Sequence, residues 1–563
     1  VSQGFPGKFS RSRSSRFPVS TPFLHRKGTW PFGRPGRMLQ QVRGHCPFGF
    51  GDRPVVSWRP GETKVTVVRS LEGGARDLEG TSPSALPRDN SVLVEKYGFL
   101  APWGPHHMTE SELEPLRQAG DDVADAALEA LGKAGKLRGP GSILEAILEG
   151  AGCKSSLEDL SFITVKAREN GVDELFRSQS PHDDVQGPCR AFLCSVLTEP
   201  EWVDWGRVQR GQEFFTRYFP SAAMLLFMAS LVPGFSIPKI VAVLKETGYL
   251  TEANPRATTR RVLETGFFVS ACCSRHGAVI ADVGSKKAQS MANRNADEES
   301  TDSKKALRAV FSRSVGQSLR PGNEGWLYCL RVRLLHAWVR RRIIERAKNG
   351  TSSYDVAEYG VPINQEDLGV TLLGFSVNVV YGVEGLLGSS LDHKEVEDYL
   401  HLWRVIGYYL GVQDGLNWCD SSVLKAKAAL ESVVMHTMQP DEGAREVAKR
   451  LIGAPSVMRY PRHSEGYARS TADRVRLFEA LLGSEWTDEL GLRELLPKQS
   501  WTAWLGRMKA RLVLSMVSWY CRLARWPVVG GMLYRFHDWA LRMSMKLVKQ
   551  PKWALPSDAI TDM

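Results

Sequence analysis

The chain has 563 residues, 24% of them charged and 43% hydrophobic, and a formal net charge of +11 at pH 7. The charge sits at the ends: residues 1–51 hold nine Lys or Arg and no acid, and residues 501–553 hold ten against Asp538 alone. With the two Asp of 554–563 counted, 52–500 is left at −5, which excludes a nucleic-acid-binding core.

The first fifty residues are rich in Arg, Ser, Pro, Phe and Gly and lack helical periodicity, so a disordered tail is predicted rather than a targeting helix. The chain begins at Val1, which reads as a fragment or an imprecise gene model, with Met38 an alternative start. A short strand is expected at Lys64–Val68, but Gly and Pro cut up the surroundings, and residues 1–108 are read as largely irregular.

Helical sequence opens at Thr109, where Thr109 and Glu112 supply capping residues and the pattern continues through Gly132. Further helices are expected at Ser142–Leu148, Leu157–Ala167, and Ala222–Val232, the last too short to cross a bilayer. Another covers 238–250, ending at Thr247 and Gly248. No run of 18 uninterrupted apolar residues occurs anywhere, so no membrane-spanning helix is predicted.

In Arg256–Cys273, Arg261, Glu264 and Thr265 can converge on one helical patch, which by position alone is more often a surface ion pair. Residues 277–322 are polar and nearly without aromatics, a flexible insertion between two helices. Then comes CLRVRLLHAWVRRRII, 329–344, with His336 on an apolar face beside Val332, Val339 and Ile343. An imidazole there, with Arg340 one turn on, suits a haem whose iron takes the ring nitrogen and whose propionates take the guanidinium. The bland alternative is a hydrogen-bonded core histidine, far the commoner use of such a residue.

A long helix is predicted over Leu368–Leu387, with Gly at 369, 374, 382 and 385 admitting a flat ligand or a neighbouring helix. Asp392–Gly411 follows, with Trp403, Tyr408 and Tyr409 as bulk. From Trp501 to Trp553, six Trp and ten basic residues on amphipathic stretches fit a peripheral membrane segment or a closing hairpin with a solvated basic face. Nine Cys without a CxxC pair fit buried thiols in a reducing, intracellular compartment.

In order along the chain stand GDDVADAALEAL (120–131), EPEWVDWGRVQRG (199–211), ETGYL (246–250), RRVLETG (260–266), VRLLHAWVRR (332–341), GVPINQEDLGVTLLGF (360–375) and YLHLWRVIGYYLG (399–411). This series resembles the latex-clearing rubber oxygenases and the ER-bound mpaB-type oxygenases over roughly 115–420. The resemblance implies an all-α, globin-like core binding haem b, with His336 as proximal ligand and metal-binding residue and Arg340 as its cofactor-binding neighbour. Around that core stand a disordered N-terminal tail and a basic helical C-terminal segment, with boundaries at 1–108, 109–490 and 491–563.

On the distal side the family's Arg, Lys and Thr fall on Arg261, Glu264 and Thr265, so the Lys is replaced by Glu. The implied activity is oxygenation or oxidative cleavage of an unsaturated, isoprenoid-like apolar chain by O₂. Glu246 or Glu264 would be the base, and Arg261 and Thr265 the donors toward oxygen. Phe214, Phe215, Phe267, Phe268 and Phe375 either wall the substrate or are plain core. A peripheral position on an endomembrane is expected. The alternative function is a non-catalytic helical protein that keeps the fold to bind lipid or a partner.

Overall fold

The computed structural model describes residues 53–59, 62, 64–69, 76–137, 139–153, 157–176, 184–248, 255–275, 318–420, 422–497 and 500–547. All of them belong to the unit Gly36–Met563. The expected tail over 1–50 and most of the expected insertion, 277–317, lie outside the described residues.

The irregular reading of 1–108 is corrected over 53–108. Four short strands, β1 (Val55–Ser57), β2 (Thr66–Arg69), β3 (Leu93–Lys96) and β4 (Phe99–Pro102), form one sheet in the order β2-β1-β3-β4. β3 and β4 are joined by Tyr97 and Gly98, both at positive φ (52° and 78°), as a two-residue hairpin of this twist requires. Strands this short cannot hold a sheet unaided, so the sheet leans on the helical body. Val56, Val94, Trp58 and Trp103 are buried in the common core, and Lys96 Nζ donates to the Met435 carbonyl at 2.8 Å.

From Glu110 onward the described residues form helices and no strand, as the periodicity predicts. The predicted helix through Gly132 is two, α1 (Glu110–Arg117) and α2 (Asp122–Lys133). Asp121 breaks it by capping α2, its carboxylate accepting from Ala124 N–H at 3.3 Å. Next come α3 (Ile143–Gly150), α4 (Leu157–Asn170), α5 (Gln186–Leu197), α6 (Trp205–Arg217), α7 (Phe219–Leu225), α8 (Pro238–Glu246) and α9 (Pro255–Cys273). The apolar stretch after α7 carries a π-helical turn over Leu226–Leu231.

The described end of the expected insertion is not flexible surface: Ser318 and Leu319 are buried, and Ser318 Oγ donates to the Ser274 carbonyl at 2.8 Å. That clasp closes the loop just ahead of α10 (Glu324–Lys348), which runs through the core against α9 and α2. The predicted helix over 368–387 divides at Ser376 into α11 (Gln365–Phe375) and α12 (Val377–Leu387). Asn364 caps α11, and Asp367 N–H donates back to its side chain at 2.9 Å.

Gln365–Leu387 is long and apolar enough to span a bilayer by length and composition, which the search for an unbroken apolar run overlooked; 67% of its most apolar window is buried inside the protein. A side chain at Gly382 would strike Leu225 of α7, so a neighbouring helix occupies that notch.

α13 (His393–Tyr409) packs along α6, and then follow α14 (Val423–Thr437), α15 (Glu442–Val457) and α16 (Glu465–Leu482). The basic C-terminal stretch is a hairpin of α17 (Ser500–Ala524) and α18 (Pro527–Leu547), broken at Pro527. α17 lies on α16 and α12, and α18 on α6.

Candidate functional site

α10 carries three side chains one helical turn or two apart: Arg333, His336 and Arg340. Arg333 forms a two-pronged pair with Asp121, Nε to Oδ2 at 2.6 Å and Nη2 to Oδ1 at 2.8 Å, fully inside the protein. Arg340 reaches Asp125 with one prong, and its Nε and Nη2 donate to the carbonyls of Pro362 (3.0 Å) and Ile363 (2.8 Å). Two ion pairs thus bolt α2 to α10, and the second also fixes the loop entering α11. In the structure each of the three guanidinium nitrogens of Arg340, the residue expected beside a propionate, donates to a protein group.

The same loop is held from other sides. Gln365 Nε2 donates to the carbonyls of Gly120 (2.7 Å) and Gly411 (3.0 Å), while Glu366 accepts from Arg117 and Lys239. These contacts account for much of the GDD, NQED and YYLG motifs as fastening rather than chemistry. Sequence reading missed Asp121, Asp125, Gln365 and Lys239, because a polar residue in a helical pattern gives no sign of its long-range partner.

His336 is different. Its Nδ1 is sealed from solvent and has no hydrogen-bond partner among the described residues. Burial, and then the charges of Arg340 and Arg261 against the opposing one of Asp121, push its pKa down to about 4, so the ring is neutral at physiological pH. Yet the side chain keeps some accessible surface, as do Val332 and Leu335 beside it. The ring is thus strongly desolvated while part of its surface stays uncovered.

α9 supplies the groups that act on this ring. Arg261 donates to Glu264 Oε2 at 3.0 Å, and both side chains are mostly buried. Burial lowers the Arg261 pKa against the pull of Glu264, and raises that of Glu264 against the pull of Arg261. Thr265 follows, half-buried. Of these groups, Arg261 lies near enough for its charge to act on His336, and it holds Glu264; Thr265 is on the same helix.

Glu246 does not join them. Its carboxylate accepts from Ser353 N–H and Oγ, both at 2.7 Å, and lies 3.8 Å from Arg346. Arg346 stands ten residues, about 15 Å, beyond His336 along α10. Burial would raise the Glu246 pKa, but the Ser353 hydrogen bonds outweigh it and hold the carboxyl below its usual value, the wrong direction for a general base. In the structure Glu246 pins the 352–355 loop, apart from His336. A surface hollow of about 590 Å³ beside that loop, lined by Ile344, Lys348 and Tyr354 among others, belongs to this far end of α10.

Of the aromatic side chains expected to wall a substrate, Phe214 packs on Tyr218 and Tyr399, Phe215 on Phe219, and Phe267 on Tyr328, as core. Phe268 is buried as well. Phe375, stacked on Trp403 at 5.3 Å, keeps some open surface.

The donor set also bears on what His336 could hold. Among the described residues no three His, Cys, Asp or Glu side chains gather to hold a bare metal ion. A haem asks the protein for one axial nitrogen, since the porphyrin supplies four, and a neutral, unpartnered imidazole meets that demand.

Residues 300–526 match the family of the ER-bound oxygenase mpaB/B′ and rubber oxygenase catalytic domain. The matched stretch includes His336 and Arg340 and leaves out Arg261 and Glu264. Among solved structures, a latex clearing protein in its closed state is similar at 18% identity and a TM-score of 0.45, over 78% of this chain and 92% of that one. No curated protein matches.

Proposed function

We propose that the chain is a haem-dependent oxygenase of an apolar, unsaturated chain, with His336 as the axial ligand. The observation that carries this reading is the His336 ring itself, neutral, without a partner on Nδ1, and partly uncovered, inside the stretch that matches an oxygenase catalytic domain. Haem b, when bound, supplies the iron at which O₂ is activated. The protein's part is to present a lone pair from His336, to hold α10 rigid through the Asp121 and Asp125 pairs, and to place the Arg261 guanidinium and Thr265 hydroxyl as donors. Glu264, its pKa raised by burial, is the available base.

One observation favours a second reading, a lipid- or partner-binding protein that keeps the fold without the chemistry. Glu264 stands where the resembling family has Lys, and its pairing with Arg261 offsets that guanidinium's charge.

Haemin titration of the full chain tests the first reading: wild type gains a Soret band and His336→Ala does not. A wild-type protein that takes up no haemin, or a His336→Ala variant with an unchanged spectrum, removes the proposal. O₂ uptake with a prenylated substrate by the loaded protein, lost in Arg261→Ala, separates the two readings.

A further inference from the structure

The last two helices present a surface that the oxygenase reading leaves unused. α17 buries Gly506, Ala510, Cys521 and Ala524, and α18 buries Gly530, His537, Asp538 and Leu541. The opposite stripe of each helix is apolar and open. On α17 it runs Trp504, Met508, Leu512, Met516, Trp519 and Leu523, at spacings of four and three. On α18 Val528, Met532, Phe536, Trp539 and Met543 repeat the pattern, and Trp526, 64% exposed, sits at the bend.

Single exposed apolar residues are ordinary, but here 13 of the 18 large ones exposed among the described residues lie in this one hairpin. Both helices cover the same body, so the two open stripes point away from it. A folded protein leaves such a surface only where something apolar covers it.

Charge decides between the candidates. Arg507, Arg511, Arg522, Arg525 and Arg535 are exposed around the stripes, and the one acid of 501–553, Asp538, is buried. A second copy of this face would set arginines against arginines. A surface that is apolar beneath and negatively charged above satisfies both halves of the pattern, with Trp at the boundary where indole is most stable.

We infer that the α17–α18 hairpin lies on the surface of an anionic phospholipid bilayer, its Trp, Met and Leu side chains entering the acyl boundary and its arginines meeting the phosphates. The inference does not depend on haem binding. Under the proposed function it places the oxygenase body against the phase in which an apolar chain dissolves.

Co-sedimentation of the full chain with vesicles tests it, using pure phosphatidylcholine and phosphatidylcholine mixed with phosphatidylserine. The chain should pellet with the mixed vesicles, bind pure phosphatidylcholine far less, and lose affinity as salt rises. Each arginine is worth about a fivefold factor, so Arg507→Gln with Arg511→Gln and Arg522→Gln should lower the partition coefficient by about a hundredfold.

Trp504→Ser with Trp519→Ser and Trp539→Ser should abolish pelleting. These side chains are exposed, so circular dichroism should show helix content unchanged in both variants. Failure of the wild type to pellet with either vesicle, equal binding to both, or wild-type binding by either folded variant overturns the inference. A dimer in solution that the tryptophan variant dissolves, without vesicle binding, also overturns it and makes the face a self-interface.

Discussion

Arg261 and Glu264 hold each other at 3.0 Å, one turn apart on α9, and it is Arg261 whose charge helps keep His336 neutral. The pair therefore tunes the ring from a neighbouring helix. With Glu264→Gln, the guanidinium charge is no longer balanced, and the His336 pKa should drop below 4. With Arg261→Met, which removes one of the charges that depress it, it should rise. Ring resonances of isotopically labelled histidine, assigned by the signal lost in His336→Gln, report both; a titration that moves in neither variant would dissociate the pair from the ring.

A linked effect on stability follows with a definite sign. The folded pKa of His336 is about 4 and the free value 6.5, so between them the unfolded chain binds more protons and stability rises with pH. The contribution is complete above pH 6.5 and is lost as pH falls toward 4, on the order of 3 kcal/mol in all. His401, also pushed down to about 4 by burial, titrates in the same window. The measurement is accordingly a difference: His336→Phe should flatten the urea midpoint between pH 4 and 6.5 relative to wild type, without flattening it completely.

Arg340, the residue expected beside a propionate, clamps Asp125 and two carbonyls of the 362–363 loop. Arg340→Met should cost about 3 kcal/mol, near the lower end for breaking a buried pair because Asp125 is one-third exposed. The folded variant should bind haemin within a fewfold of wild type. If affinity collapses while the urea midpoint stays put, the clamp is secondary and Arg340 faces the cofactor.

What the sequence disclosed and what it hid divide along physical lines. Periodicity marks a helix because its signal is local, so the cores of α8, α9, α10 and α13 were legible, along with Thr109 ahead of α1, Asn364 ahead of α11 and Gly248 after α8. Helix breaks at Asp121 and Ser376 were not, because one polar residue inside an apolar pattern reads as a tolerated exception. Of the β1–β4 sheet only the strand near β2 was legible, because the strands are three or four residues long and the sheet leans on α14, more than 300 residues away. His336 could be singled out as unusual, but its missing partner on Nδ1 is a property of the whole packing.

The attachment of that sheet gives a second pH window. Burial lowers the Lys96 pKa to about 7, against the pull of Glu110 and Glu62, while Lys96 Nζ donates to Met435. Between pH 7 and the free value of 10.5 the unfolded chain binds the extra proton, so stability should climb with pH across that interval and be indifferent to this group below it. Lys96→Met should remove the climb. A denaturation midpoint with the same slope in both proteins from pH 7 to 9 would show that Lys96 is solvated in solution.

Gly411 closes the argument about the fastening around His336, because it shows how little room the clamps leave. It follows α13 at φ +89°, a conformation that any side chain strains, and a Cβ there would stand 2.2 Å from Asp121 Oδ2 and 2.8 Å from Arg333 Nε. Its carbonyl also accepts from Gln365 Nε2. Gly411→Ala therefore meets a backbone penalty of about 1 kcal/mol and a collision with a buried, two-pronged ion pair that cannot retreat without losing its geometry. The expected loss is about 4 kcal/mol, larger than that of Arg340→Met, and in the surviving folded fraction haemin affinity should fall, since Asp121 and Arg333 set the rotation of α10 and hence of the His336 ring. A Gly411→Ala protein with wild-type stability would mean that the Asp121–Arg333 pair is free to move, and the rigid presentation of His336 would lose its support.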